Sequence, residues 1–251
     1  MLIALPLLAF LLLPPLALVV RGRGAFAGAL QLPDSMAAVG VSMRTSAVSL
    51  AILIVLGTPL AAALARSRGW LGRFVEVALD LPLVLPPAAA GIGLLLAFGR
   101  RGLVPTELPF TAGAVVAAQL FVSTPLYVRA ATAAFRAVPG DVMDIASLEG
   151  ADRIRRFAKI VLPISGPTLL SGAAMAWARA LGEFGATILF AGSFPGRTET
   201  LPLAIYLGFE NNLDQAIGLS LLLLGLALVV LVAARLFLGS AKADVSLDRT
   251  P

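Results

Sequence analysis

The chain has 251 residues, of which 59% are hydrophobic and 13% charged, with a formal net charge of +5 and a mean hydropathy of +0.96. That is more apolar side chain than one soluble core can bury, which excludes an ordinary soluble domain. Cysteine and histidine are both absent, which excludes a disulfide framework, a thiolate nucleophile and an imidazole metal site. The basic balance fits anionic lipid headgroups and membrane topology better than nucleic acid.

Apolar blocks of the roughly 17–25 residues needed to cross a bilayer recur along the whole chain. Six spans are predicted, over 2–20, 44–65, 77–98, 110–130, 166–189 and 215–236. The fold class is therefore an all-α polytopic membrane protein, read as one transmembrane domain over 1–251. The first span begins almost at Met1, and a cleaved signal peptide is its alternative reading. A weakly basic start, Pro6, Pro14 and Pro15, and no clear small-residue cleavage site favour a retained helix.

If both termini are cytoplasmic, the inner segments hold twelve basic residues: Arg66, Arg68, Arg73, Arg129, Arg136, Arg153, Arg155, Arg156, Lys159, Arg235, Lys242 and Arg249. The outer segments then hold six: Arg21, Arg23, Arg44, Arg100, Arg101 and Arg197. This excess sets the predicted orientation, since cytoplasmic loops are enriched in Lys and Arg.

The third span includes DLPLVLPPAAAG at 80–91, where Pro86 and Pro87 remove amide donors and bend the chain or free carbonyls. In the fourth, Ser123 and Thr124 precede Pro125. Their hydroxyls either bond locally around a proline kink or offer polar groups to a pathway.

The loop 131–163, between the fourth and fifth spans, is charged where its surroundings are apolar. In DVMDIASLEGADRIRRFAKIVLP, at 141–163, Pro139 and Gly140 stop the preceding helix. Asp141 is predicted to cap a new one, with Asp144 in its first turn. Met143, Ala146 and Gly150 fall near one small face, with Ile145 and Leu148 beside it. Gly150 breaks this amphipathic element, residues 153–159 present a basic surface, and Pro163 opens the next span. Taken alone, the segment is either an interfacial helix covering a hairpin end or a docking element for a soluble partner.

Within the fifth span, AWARALGEFGATILFAG at 176–192 carries Arg179 and Glu183 four residues apart. They are predicted to share a helix face and pair, as a packing clamp or as part of a gate or substrate route. Gly172, Ala176 and Ala180 offer a close-packing face, and Gly182 and Gly185 loosen the backbone around Glu183. Thr187 either bonds its own backbone or turns its hydroxyl to the same route. The connection 191–214, with Gly192, Pro195, Gly196 and Pro202, is predicted to hold no independent fold, and 242–251 to be a frayed cytoplasmic tail.

Asp144-Ile145-Ala146, three residues, Gly150, nine residues and Ile160-Val161-Leu162-Pro163 resemble the cytoplasmic motif of ATP-binding-cassette importer permease subunits. That motif reads Glu-Ala-Ala, three residues, Gly, nine residues, Ile-x-Leu-Pro. Here Asp replaces its Glu and Ile its first Ala, which keeps the carboxylate and adds bulk. ALGEFG at 180–185 and the prolines at 86–87 resemble the oxyanion branch of molybdate, tungstate and sulfate permeases, molybdate permeases foremost.

The resemblance implies a type I importer permease fold. It also implies a coupling helix over about 141–156, seated in a groove of an ATPase. Coupling then falls to Asp141, Asp144, Ile145, Ala146, Gly150, Arg153 and Pro163. Arg179, Glu183, Thr187, Ser123, Thr124, Pro86 and Pro87 become candidates for the pathway or gate. The implied partners are a second copy of the chain, two cytoplasmic ATPases that bind ATP and magnesium, and an extracellular or periplasmic oxyanion-binding protein, at a prokaryotic plasma membrane. No Gly-rich phosphate loop ending in Lys-Ser or Lys-Thr occurs, so a non-catalytic subunit without a cofactor of its own is expected.

A divalent tetrahedral anion needs donors along its path, yet a tight site would slow its release. Arg179 is the charge candidate, with Glu183 placed to neutralise it. Within the family, a sulfate, tungstate or other oxyanion permease is the alternative. A secondary transporter would not need the loop spacing, and a membrane scaffold that transports nothing could use the same loop to recruit a partner.

Overall fold

Prolines and glycines set where most of the helices stop. The structure is a computed structural model that describes residues 5–247, with side chains through Ala233. Its elements are α1 (Leu5–Gln31), α2 (Pro33–Arg66), α3 (Trp70–Val84), α4 (Pro87–Phe98), α5 (Ala112–Arg136), α6 (Gly140–Leu148), α7 (Arg153–Arg156), a π turn (Phe157–Val161), α8 (Leu162–Leu181), α9 (Gly185–Phe190), α10 (Leu201–Asn211) and α11 (Leu213–Leu247). All regular structure among the described residues is helical. Among the described residues five helices are long and apolar enough to cross a membrane, and counting the broken α3–α4 pair as one span gives six.

Several predicted boundaries move. α1 runs past Val20 to Gln31, so Arg21 and Arg23 lie inside a helix rather than in an outer connection. α2 begins at Pro33, eleven residues before the predicted start, and takes in Arg44. The third predicted span is not one helix: Leu85 (φ −67°, ψ 131°) and Pro86 (φ −55°, ψ 136°) are extended and separate α3 from α4. A residue before proline is pushed out of the helical region, and here two prolines follow in series.

The fifth predicted span is likewise broken, because α8 ends at Leu181 and α9 begins at Gly185. The connection 191–214 holds α10, which the sequence reading missed; Pro202 stands in its first turn and Leu201, Leu203 and Ala204 are buried. α11 continues to Leu247, so residues 242–247 are helical rather than frayed. Expectations for residues 2–4, for Arg249 and the rest of 248–251, and for the side chains of Arg235 and Lys242, lie outside the described residues.

The chain divides into two compact units, each drawn from three stretches. The first comprises Met1–Ala47, Pro86–Gln119 and Leu181–Val229. Ala38, Leu201, Ala204 and Leu219 form an apolar cluster in it, and α11 approaches α1 so closely that a Cβ on Gly218 would meet Ala29 Cβ at 2.5 Å. Small residues let helix backbones approach where no lipid or water intervenes.

The second unit comprises Val48–Leu85, Leu120–Ala180 and Val230–Pro251. In its core, α5 packs against α2 and α8 through Leu53, Ala61, Tyr127, Ala131, Leu169 and Ala173. The Tyr127 hydroxyl shares a 2.7 Å hydrogen bond with Thr58, satisfying two polar groups inside an apolar cluster.

Candidate functional site

The loop after α5 is built by two caps and a widened turn. α6 begins at Gly140 with Pro139 at its N-cap position, so Asp141 lies in the first turn and is not the cap, and Asp144 falls beyond that turn. Proline at that position supplies no side-chain acceptor, and the first carboxylate instead meets the positive end of the helix dipole.

Gly150 ends α6 at φ +81°, a conformation open chiefly to glycine. Its amide donates to Ser147 O at 3.1 Å and that of Ala151 to Ala146 O at 3.0 Å, the paired bonds of a Schellman C-cap. Asp152 then caps α7 by accepting from Arg155 N at 2.7 Å. Arg153 starts that helix and is exposed, while Arg156 reaches back to Met143 O at 3.4 Å.

This geometry divides the face of α6. Ala146 is buried and Met143 packs on the core, while Ile145 and Leu148 stand 58% and 88% exposed, with Ile154 beyond the turn also exposed.

Pro163 does not open a separate span. The helix is continuous over Arg153–Leu181, with Pro163 inside it. Lacking an amide hydrogen, Pro163 cannot bond the carbonyl four residues back, and its ring crowds that turn. The backbone answers with the π turn just before it, where Leu162 N donates to Phe157 O, five residues back.

The structure packs one pathway candidate, Pro87, against Gly185 of the segment that carries Glu183 and Thr187. α4 and α9 pack at Gly91 and Gly185: a Cβ on Gly91 would meet Ala186 O at 2.8 Å, and one on Gly185 would meet Pro87 Cβ at 2.5 Å. Pro86 is the N-cap residue of α4 and Pro87 its first residue.

Glu183 sits in the break before α9, only 1% exposed, and its Oε1 accepts from Ala186 N at 2.8 Å. It therefore does not share a helix with Arg179, which lies in the last turn of α8, where its charge suits the negative end of the dipole. Thr187 is fully buried, and its hydroxyl has no hydrogen-bond partner among the described residues, its own backbone included.

On α5, Thr124 Oγ1 donates to Leu120 O at 2.6 Å, the local bonding expected beside Pro125. Ser123 is buried in the same helix.

The sequence reading used Arg129 and Arg136 only to set orientation. In the structure they form an ionic ladder with α3: Arg129 to Asp80 at 2.7 Å and Arg136 to Glu76 at 2.6 Å. Beside it lies a cavity of about 700 Å³ lined by Leu64, Glu76, Arg129, Thr132 and Arg136, among others. Among the described residues Thr132 Oγ1 and Asp80 Oδ1 have no hydrogen-bond partner, and both atoms are shielded from solvent as the side chains stand. The signal in the sequence was Arg129, Thr132 and Arg136 at helical offsets, matched by Glu76 and Asp80 one turn apart.

Polar bonds hold the connection between α9 and α10. Phe194 O accepts from the amides of Arg197, Thr198 and Glu199 at 3.0–3.1 Å, and Ser42 of α2 accepts from Leu201 N at 2.7 Å, satisfying an orphan donor of α10. Burial pushes the Glu199 carboxyl above its usual 4.5; the Ser193 hydroxyl at 3.2 Å opposes this, and the charge of Asp34 adds to it.

A family model described as "Binding-protein-dependent transport system inner membrane component" matches residues 53–239. The "Molybdenum transport system permease protein ModB" of Mycobacterium tuberculosis is 42% identical over 248 residues, covering 95% of this chain and 92% of that protein. The "Probable transport system permease protein NifC" of Clostridium pasteurianum is 37% identical over 211 residues, 81% of this chain and 74% of its own. The "Molybdate/tungstate transport system permease protein WtpB" of Pyrococcus abyssi is 33% identical over 201 residues, 80% and 77%.

Among solved structures, a chain of the bacterial alginate ABC transporter in complex with its pentasaccharide-bound periplasmic protein matches with a TM-score of 0.73 at 16% identity, covering 92% of this chain and 91% of that one. A chain of the inward-facing MetNI methionine ABC transporter matches at 0.65 and 17% identity, covering 81% and 94%. At these identities the likeness establishes a shared fold.

Proposed function

The chain belongs to the binding-protein-dependent transport-system inner-membrane components, and from that membership we propose that it is the permease subunit of an ATP-driven molybdate importer. The observation that carries this reading is the coupling loop. Asp144, Gly150 and Ile160–Pro163 keep the family spacing, and on α6, which ends at the Gly150 turn, Ile145 and Leu148 stand largely exposed. Molybdate is preferred as cargo because the relative matched over nearly the full length is named for molybdenum transport. Tungstate is the second reading, favoured by the name of the Pyrococcus relative.

Two copies of the chain enclose the pathway, and two cytoplasmic ATPases supply ATP and magnesium chemistry. An oxyanion-binding protein delivers the anion from outside. ATP-driven closure of the ATPases moves α6, and through the continuous helix that follows it the motion enters the membrane, alternating access between the two sides. Both termini are cytoplasmic in this arrangement, as the basic-residue bias favours. The permease itself catalyses no reaction and binds no cofactor.

The test is uptake of radiolabelled molybdate into proteoliposomes holding the permease, its ATPases and the binding protein, in competition with tungstate and sulfate. ATP-dependent accumulation of molybdate is expected. Absence of uptake of any oxyanion by an assembled, ATP-hydrolysing complex would falsify the reading.

A further inference from the structure

Arg129, Thr132 and Arg136 lie at offsets of three and seven residues on α5, so they share one face, and all three line the 700 Å³ cavity. α3 supplies Asp80 and Glu76 opposite the two arginines, and Arg136 also donates to Leu64 O at 3.1 Å. Thr132 is 6% exposed and its hydroxyl is unpartnered. Arg129 lies about 10 Å along α5 from the helix end nearest α6. Arg136 is the last residue of α5, so its pair with Glu76 sits at the helix end and only the Arg129–Asp80 pair lies deeper, where charge is costly against lipid and marks a water-filled or protein-covered surface.

The donor set selects the chemistry of the ligand. Two guanidinium forks offer several N–H groups, which suit an acceptor with several oxygens because guanidinium pairs two-on-two with such groups, and the shielded Thr132 hydroxyl would add an O–H donor on turning toward the cavity. A divalent tetrahedral oxyanion fits this pattern, and the cavity is large enough to admit it with part of its hydration shell.

Both forks are already engaged by carboxylates whose side chains are 34% and 42% exposed, and which can turn to water when displaced. The four charges sum to zero, so a bound divalent anion leaves the cluster at −2. Such a site binds weakly and releases quickly, as a conducting path requires.

We propose that the Arg129–Thr132–Arg136 face of α5 is a low-affinity site for a divalent tetrahedral oxyanion, with Asp80 and Glu76 as built-in competitors that prevent its retention. The proposal rests on the permease reading, and its test separates the two.

The assay is equilibrium binding of radiolabelled molybdate to the complex of this chain with its ATPases, in nanodiscs of phosphatidylcholine with or without phosphatidylglycerol. It is run alongside uptake of molybdate, tungstate and sulfate. Asp80→Asn is expected to tighten molybdate binding by about tenfold or more, in a salt-sensitive manner, and to slow uptake. Thr132→Val reduces that gain, and the charge-balanced double variant Asp80→Asn with Arg129→Gln abolishes it.

No tightening in Asp80→Asn, together with normal uptake in the double variant, overturns the site. So does a gain confined to nanodiscs containing phosphatidylglycerol, which would make a lipid phosphate the occupant. If either variant complex fails to assemble, Arg129→Lys is compared instead: it keeps the charge, loses the fork and weakens binding, and unchanged binding overturns the site. If the unaltered complex takes up no oxyanion, the permease reading fails and the site with it; uptake unchanged across all variants removes the site alone.

Discussion

Gly185 and Pro87 approach so closely that no side chain fits between them, a Cβ on Gly185 falling 2.5 Å from Pro87 Cβ. Overpacking of this kind costs about 1–3 kcal/mol, so Gly185→Ala should lower the apparent Tm of the purified protein by a few degrees. Gly91→Ala, whose Cβ would meet Ala186 O at 2.8 Å, should do the same. Gly93→Ala is the control on the same helix, with nothing within 4 Å of its added carbon. Equal melting of all three variants would show that α4 and α9 do not meet at their glycines.

Glu183 is buried and holds the Ala186 amide. Glu183→Ala leaves that donor unsatisfied at a cost of about 1–3 kcal/mol, whereas Glu183→Gln keeps an acceptor oxygen and should cost less. Thermal stability of the two variants in detergent decides this, and equal losses would assign the role to the charge instead. Arg179→Ala should reduce oxyanion flux in a correctly assembled complex, and unchanged flux there rejects a pathway role for it.

Gly150 has open space around its Cβ position, so its constraint is the backbone alone. The positive φ costs a residue with a side chain about 1–2 kcal/mol. Gly150→Ala should weaken ATPase stimulation in reconstituted vesicles while membrane insertion stays normal. Gly150→Asn should lie between, since asparagine tolerates this conformation better. Normal transport and stimulation in the alanine variant would sink the coupling role of this turn.

Glu199 carries the pH dependence. Its folded-state pKa is raised above the usual 4.5, chiefly by burial, so its contribution to stability is present in full below that value and is lost as pH rises through the folded pKa. Glu199→Gln should therefore melt higher than the unaltered chain at pH 7 and by a smaller margin at pH 4. A margin that is the same at both values would mean that the carboxyl does not titrate with the fold.

The spans were legible because hydrophobic length is a strong signal, and the helix break after α6 was legible because Gly150 interrupts an amphipathic segment. The breaks were harder to see. Pro86 and Pro87 announced an interruption, but Gly182–Phe184 did not, since a glycine pair inside an apolar run also fits a continuous helix. α10 was missed because Gly192, Pro195 and Gly196 dominate the look of its connection, while its buried Leu201, Leu203 and Ala204 acquire meaning only from tertiary packing. The α3–α5 ladder escaped for the same reason: its pairs are 49 and 60 residues apart, and the two arginines read locally as topology signals.

The π turn before Pro163 inserts one extra residue into the helical winding, and one residue of α-helix corresponds to about 100° of rotation. The side chains before Phe157 and after Val161 therefore follow two different phases along one axis. If α6 and α7 take up a push from a partner, it would enter a helix with an angular offset cut into it, and the response of the rest of Arg153–Leu181 would follow that offset as well as the direction of the push.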